Sequence, residues 1–172
     1  MAAQNLAEIA YANDELEEAL ELGQRALTAV RGMEHSSNLA EALMNLTAYL
    51  IAAARFEEAR IHAREALTLT LESQNEVYTA ITLQHLAATA ALQPARDRVF
   101  LREHQVRAAQ LLGYVDATLA RTKYQRGGAE RREHDEIVQA LKAGLGANRY
   151  RGLMASGGMW SEDEAVAEAV QV

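Results

Sequence analysis

The sequence has no cysteine, a single proline (Pro94) and an aromatic share of only 5%. The first absence excludes disulfides, thiolate zinc sites and cysteine nucleophiles together, and it fits a reducing, cytoplasmic compartment. β-branched residues are thin and strict polar–apolar alternation never runs for long, so strands are not expected. The longest apolar runs, such as 48–54, fall far short of the ~20 residues a membrane span requires. The first twenty residues carry no basic region followed by an apolar block, so they do not read as a signal peptide. No membrane partner is expected.

Chemical motifs are missing as well. There is no G-x-x-x-x-G-K-(S/T) phosphate loop, and the glycines of 152–158 lack both the lysine and the preceding strand. The histidines His35, His62, His85, His104 and His134 form no i, i+4 pair and no H-E-x-x-H. The polar run Glu133-His134-Asp135-Glu136 could recruit a metal weakly, but it reads better as a solvated helix start with acids near the N-terminal dipole. No serine sits in a G-x-S-x-G setting. The chain therefore reads as non-enzymatic, with no catalytic, cofactor-binding or metal-binding residues.

What is present is helix-forming. The 172 residues suit one domain, and 49% are apolar, mostly Ala and Leu. Comparison of the chain with itself at a shift of 40 aligns Leu6, Leu46 and Leu86, then Leu16 with Phe56 and Ala19 with Ala59. Each unit reads as helix, short turn, helix, with turns at Asn13-Asp14-Glu15 and Ala54-Arg55. Small residues Ala19, Ala26, Ala59, Ala63 and Ala66 would let paired backbones approach. One hairpin cannot bury both its apolar faces, so neighbours must stack. Asp14, Asn38 and Ser161, each with Glu three residues on, are expected N-caps. Gly32 with Ser36-Ser37, and Ser73-Gln74-Asn75, are expected to separate successive hairpins. The third unit is displaced by PARDRVFLRE, and 96–122 reads as one long helix with an inward stripe at Val99, Val106, Ala109, Leu112, Val115 and Leu119. An inserted turn before an ordinary helix is the alternative.

The unit from Ala40, with Leu43, Leu46, Thr47, Leu50, Phe56, Ala59, Ala63 and Ala66, resembles a tetratricopeptide repeat lengthened to a period of 40. That resemblance implies an all-α, right-handed solenoid of antiparallel helical hairpins over 1–122 (about 1–31, 38–72 and 75–122). A closing helical segment would follow over 123–172. Within it, Arg126-Gly127-Gly128 reads as a loop, and 131–145 as a helix with Ile137, Val138, Leu141 and Leu145 inward, ended by Gly144 and Gly146. A short helix near 149–155, Gly157-Gly158 and a last helix from Ser161 complete it. The runs RAAQLLGYVDATLAR, HDEIVQALKAGLG and MWSEDEAVAEAV resemble the C-terminal end of large bacterial ATPase-linked transcriptional regulators and cyclase-associated signalling proteins. The resemblance implies a partner- or ligand-sensing module within a longer chain. The first unit, starting at Met1 where the second has Glu41, agrees with that expectation.

In such a solenoid the first helix of each hairpin lines the concave face. Asn5, Asn45 and His85 form one column there, and Gln4, Met44 and Gln84 another. Glu8, Ala48 and Ala88 form a third. Gln4, Asn5, Glu8, Met44, Asn45, Gln84 and His85 are the expected groove residues, their amides suited to an extended peptide. No Lys or Arg stands in these columns, so a neutral or basic segment is the expected ligand. Charge offers an alternative. The net charge is −7, yet all twelve basic residues of the second half lie within 96–151, which is +5 overall. That stretch could contact nucleic acid, although the acidic pI and the lack of a recognition-helix motif argue against it. Pairing of these arginines with the acidic first half, or self-association into a homodimer, are the other readings.

Overall fold

The computed structural model describes residues 2–32, 36–94 and 97–172, with helices throughout and no strand among them. His35, Arg96 and the start of the 95–104 insertion lie outside the described residues. The helices are α1 (Ala2–Ala12), α2 (Leu16–Val30), α3 (Ser36–Ala52), α4 (Phe56–Glu72), α5 (Glu76–Leu92), α6 (Arg98–Thr122), α7 (Gly128–Leu145), α8 (Ala147–Gly157) and α9 (Glu162–Ala169). Each of the first six packs on the next in sequence, α7 and α9 return onto α5 and α6, and α8 packs on α6 and α7.

The sharp reversals have one local cause. At Asp14, Ala54, Gln74 and Lys123 the backbone turns left-handed, with φ of 63°, 56°, 52° and 57°. In each, the next residue donates its N–H five residues back: Glu15 to Ala10, Arg55 to Leu50, Asn75 to Thr70 and Tyr124 to Leu119. This is the Schellman closure, which satisfies the orphan carbonyls of the preceding helix. Asp14 and Ala54 stand 40 residues apart, so the sequence period appears as a repeated turn. The third hairpin differs. Gln93 leaves α5 in an extended conformation and Pro94 follows. Asp97 then caps α6 by accepting from Val99 N at 2.8 Å.

Packing follows the small residues. Ala19, Ala26, Ala59, Ala63 and Ala66 are all buried at the helix crossings. Gly23 serves the same purpose, since a Cβ there would stand 3.1 Å from the Tyr49 ring. Leu46 and Leu86 are buried, whereas Leu6, one repeat earlier, is 53% exposed. The α6–α8 crossing is tight. A Cβ on Gly157 would run into the Gln110 carbonyl, and one on Gly113 into the Met154 carbonyl. Helix α5 sits at the centre, with thirteen consecutive residues from Thr79 to Ala91 buried. Thr82 and Thr89 bond back within the helix, to Tyr78 O and Leu86 O at 2.8 Å each, whereas the buried Thr79 hydroxyl has no partner among the described residues.

Several local expectations need correction. Asp14 is a turn residue paired with Arg132, and Glu15 occupies the N-cap of α2. Asn38 lies inside α3, which begins at Ser36, so Ser36-Ser37 belong to a helix and not to a separator. Ser161 does cap α9, in a reciprocal box with Glu164. Asn75 is a cap the sequence reading missed, accepting from Tyr78 N. Helix α6 is continuous from Arg98, as the long-helix reading has it, but Val99 faces solvent at 68% exposure. Gly146, at φ 81°, ends α7, while Gly144 lies within it.

Candidate functional site

The inner faces of α1, α3 and α5 do not form an open groove along their whole length, because α7 lies across α5. Two buried side chains hold it there. His85 Nδ1 lies 2.9 Å from Glu133 Oε2 and 3.0 Å from Oε1, with the two residues 2% and 5% exposed. Beside them Gln84 donates to Glu133 Oε1 at 3.1 Å and to Glu130 O at 2.9 Å. Arg126, in the loop before α7, donates to Gln84 Oε1 at 2.6 Å and to Asp116 of α6 at 2.5 Å. His134 approaches Asp116 Oδ1 at 3.3 Å.

This network corrects part of the expected groove. Gln84 is buried beneath α7 and Gln4 is buried as well, while Met44 and His85 are almost covered and reach only the wall of the cleft described below. Ala88, of the third column, is also buried. The physical reason is register. A 40-residue alignment assigns equivalent helical positions, but α7 covers only the last of the three equivalent helices closely. Asn5 and Glu8 remain exposed and Asn45 is half-buried. Asn45 donates to Glu8 Oε1 at 3.0 Å. Glu133, expected on a solvated helix start, is instead the buried anchor of α7. The hidden charge was legible only as His85 standing at a groove position of a helix that carries no charged residue after Glu76.

Where α7 lifts away, a cleft of about 550 Å³ remains between α1, α3, α5 and the α6–α7 loop. One end is made by Glu8, Tyr11, Asn45 and Tyr49, the other by Glu41, Tyr78, Tyr124 and Glu130. The Tyr11 and Tyr49 rings are 5.0 Å apart and tilted by 36°. Tyr49 is 2% exposed and its hydroxyl has no hydrogen-bond partner among the described residues. Burial first, then the charges of Glu8 and Tyr11, raise that phenol well above its usual range, so it stays protonated. Tyr124 is pushed up to about 12 by burial and by Glu130, to which its hydroxyl donates at 3.1 Å. Tyr78 is raised by burial and by the charges of Glu41 and Glu130. Three carboxylates thus face one lining guanidinium, Arg132, which pairs with Asp14 at 2.8 Å and lies 5.6 Å over the Tyr11 ring. It comes from α7 and not from the columns headed by Asn5, Gln4 and Glu8, in which no Lys or Arg stands.

A larger, more open groove of about 1020 Å³ lies between α2 and α4, walled by exposed side chains such as Glu17, Glu21 and Arg25. Within 96–151, Arg107 pairs with Glu168, Arg121 with Glu76, Arg126 with Asp116 and Arg132 with Asp14. Among the described residues, no three His, Asp or Glu side chains converge as a metal site would need. None of the described helices is long and apolar enough to cross a membrane.

No protein-family model, curated protein or solved structure matches the chain.

Proposed function

We propose that the chain is a non-catalytic, tetratricopeptide-like interaction or sensor module that takes a peptide segment of a protein partner into the cleft between α1, α3, α5 and α7. The carrying observation is the cleft itself. It is concave, walled by four tyrosines, and one of these, Tyr49, has a buried hydroxyl without an internal partner among the described residues. Tyrosines with polar neighbours are the combination that binding sites concentrate. The repeated Schellman turns and the buried alanines support the solenoid-like reading of the hairpins. The likeness of the C-terminal segment to large bacterial signalling and transcriptional regulators supports a sensing role within such a protein. The nucleic-acid alternative is weakened by the internal pairing of Arg107, Arg121, Arg126 and Arg132, because a paired guanidinium has less to gain from a phosphate.

A displayed library of defined peptides tests the reading. Peptides enriched on the native protein should be lost on Ala48→Trp, which fills the cleft, and kept on Ala29→Trp, which fills the α2–α4 groove. Retention on folded Ala48→Trp, or no enrichment at all, refutes it.

A further inference from the structure

We infer that the group this cleft receives is a cation, the guanidinium or ammonium end of a peptide side chain, seated against Tyr78 and Tyr124 between Glu41 and Glu130. The inference rests on the cleft being the binding site and adds the chemistry of its occupant.

Charge complementarity is the first support. Glu8, Glu41 and Glu130 face the cleft, and the one lining Arg132 is committed to Asp14. Glu8 and Glu130 spend part of their hydrogen-bonding capacity on Asn45 and on Tyr124 and Gly127 N. Glu41 has neither a hydrogen bond nor an ion-pair partner among the described residues, although it is half-buried. A carboxylate withdrawn from water in this way gains most when a cation arrives, and an anion would meet three like charges.

The tyrosines are the second support. A phenol ring attracts a cation over its face, and more strongly where water is partly excluded. The chain already does this at one end of the cleft, where the Arg132 guanidinium lies 5.6 Å over Tyr11. At the other end no cation stands over Tyr78 or Tyr124 among the described residues. The two ends therefore carry the same elements, tyrosine faces beside carboxylates, but only one holds a positive charge. The unpartnered Tyr49 hydroxyl is the third support. It belongs to the Tyr11 end of the cleft and leaves one hydrogen-bonding group for the backbone of the chain that carries the cation.

The test uses three capped tripeptides, acetyl-Gly-Arg-Gly-amide, its lysine counterpart and its citrulline counterpart, titrated into ¹⁵N-labelled protein. Citrulline keeps the shape of arginine without the charge. The arginine and lysine peptides should move the backbone signals of Glu41, Tyr78, Tyr124 and Glu130, and bind about tenfold more tightly than the citrulline peptide. Glu41→Gln, which removes charge and breaks no hydrogen bond among the described residues, should erase most of that preference. If citrulline shifts the same signals with equal affinity, the cation inference fails while the peptide-binding reading stands. Shifts elsewhere only, or none for any of the three at about 10 mM, overturn both, since even a millimolar ligand would be seen there. A Glu41→Gln variant that keeps the full preference for arginine also overturns the inference.

Discussion

His85 on α5 and Glu133 on α7 stand 48 residues apart in sequence and meet at 2.9 Å in the interior. Their contact fixes where α7 crosses the inner helices, and so where the cleft stays open. Breaking it from one side should be costly. Glu133→Ala would leave a buried imidazole unpaired and take one acceptor from Gln84. A loss of about 3 kcal/mol in urea unfolding is expected, and His85→Leu combined with Glu133→Leu should recover most of it. A loss below about 0.5 kcal/mol for Glu133→Ala would show that the pair does not anchor α7.

The same pair makes stability depend on pH. Burial, the largest influence, disfavours the charged imidazole, but the charge and hydrogen bond of Glu133 and the charge of Glu130 outweigh it. The pKa of His85 is raised. In the unfolded chain histidine titrates near ~6.5, so the contribution is complete below that value and is lost as pH rises through the higher folded value. The urea midpoint of the native protein should therefore fall, from about pH 6.5 upward, relative to that of the double variant in which both His85 and Glu133 are replaced by leucine. A relative rise over that window contradicts the assignment.

Glycines at the α6–α8 crossing should behave unlike a glycine in open space. Gly157→Ala would drive a methyl group into the Gln110 carbonyl. It should cost about 1–3 kcal/mol or more, because backbone must move. Gly152, inside α8 with nothing near its Cβ position, should instead gain up to about 1 kcal/mol on replacement by Ala. Thermal or urea unfolding of the two variants compares them directly, and equal effects would contradict the described crossing.

Ala54 holds a left-handed turn at φ 56° without glycine's freedom. Ala54→Gly should stabilise the protein by about 1 kcal/mol, since the Cβ strain at this position is relieved. Asp14→Gly at the equivalent turn should gain less, because it also removes the pair with Arg132. Destabilisation by Ala54→Gly would argue against the turn geometry.

Much of this architecture could be read from residue spacing. The alanines that pack, the turns at 13–15 and 54–55, the long α6 and the Ser161 cap all depend on local pattern. Asn38 misled because a cap motif was judged without knowing that the helix had already begun at Ser36. Val99 misled because a helical stripe says which face is apolar, not how far the neighbouring helices extend to cover it. The groove was the hardest to read. Repeat alignment showed that Asn45 and His85 occupy equivalent positions, but nothing local to α5 reveals that Glu133 returns to cover one of them. The tyrosines of the cleft come from α1, α3, α5 and the α6–α7 loop, and only tertiary packing brings them together.

Chemical-shift mapping of a display-selected peptide on the ¹⁵N-labelled protein tests the proposed role of the cleft most directly. The account predicts that the largest shifts fall on Asn45, Ala48, Tyr78, Tyr124 and Glu130, around the concave face that α7 leaves open. Shifts gathered instead on Gln24, Thr28 and Glu58, in the groove between α2 and α4, would contradict it.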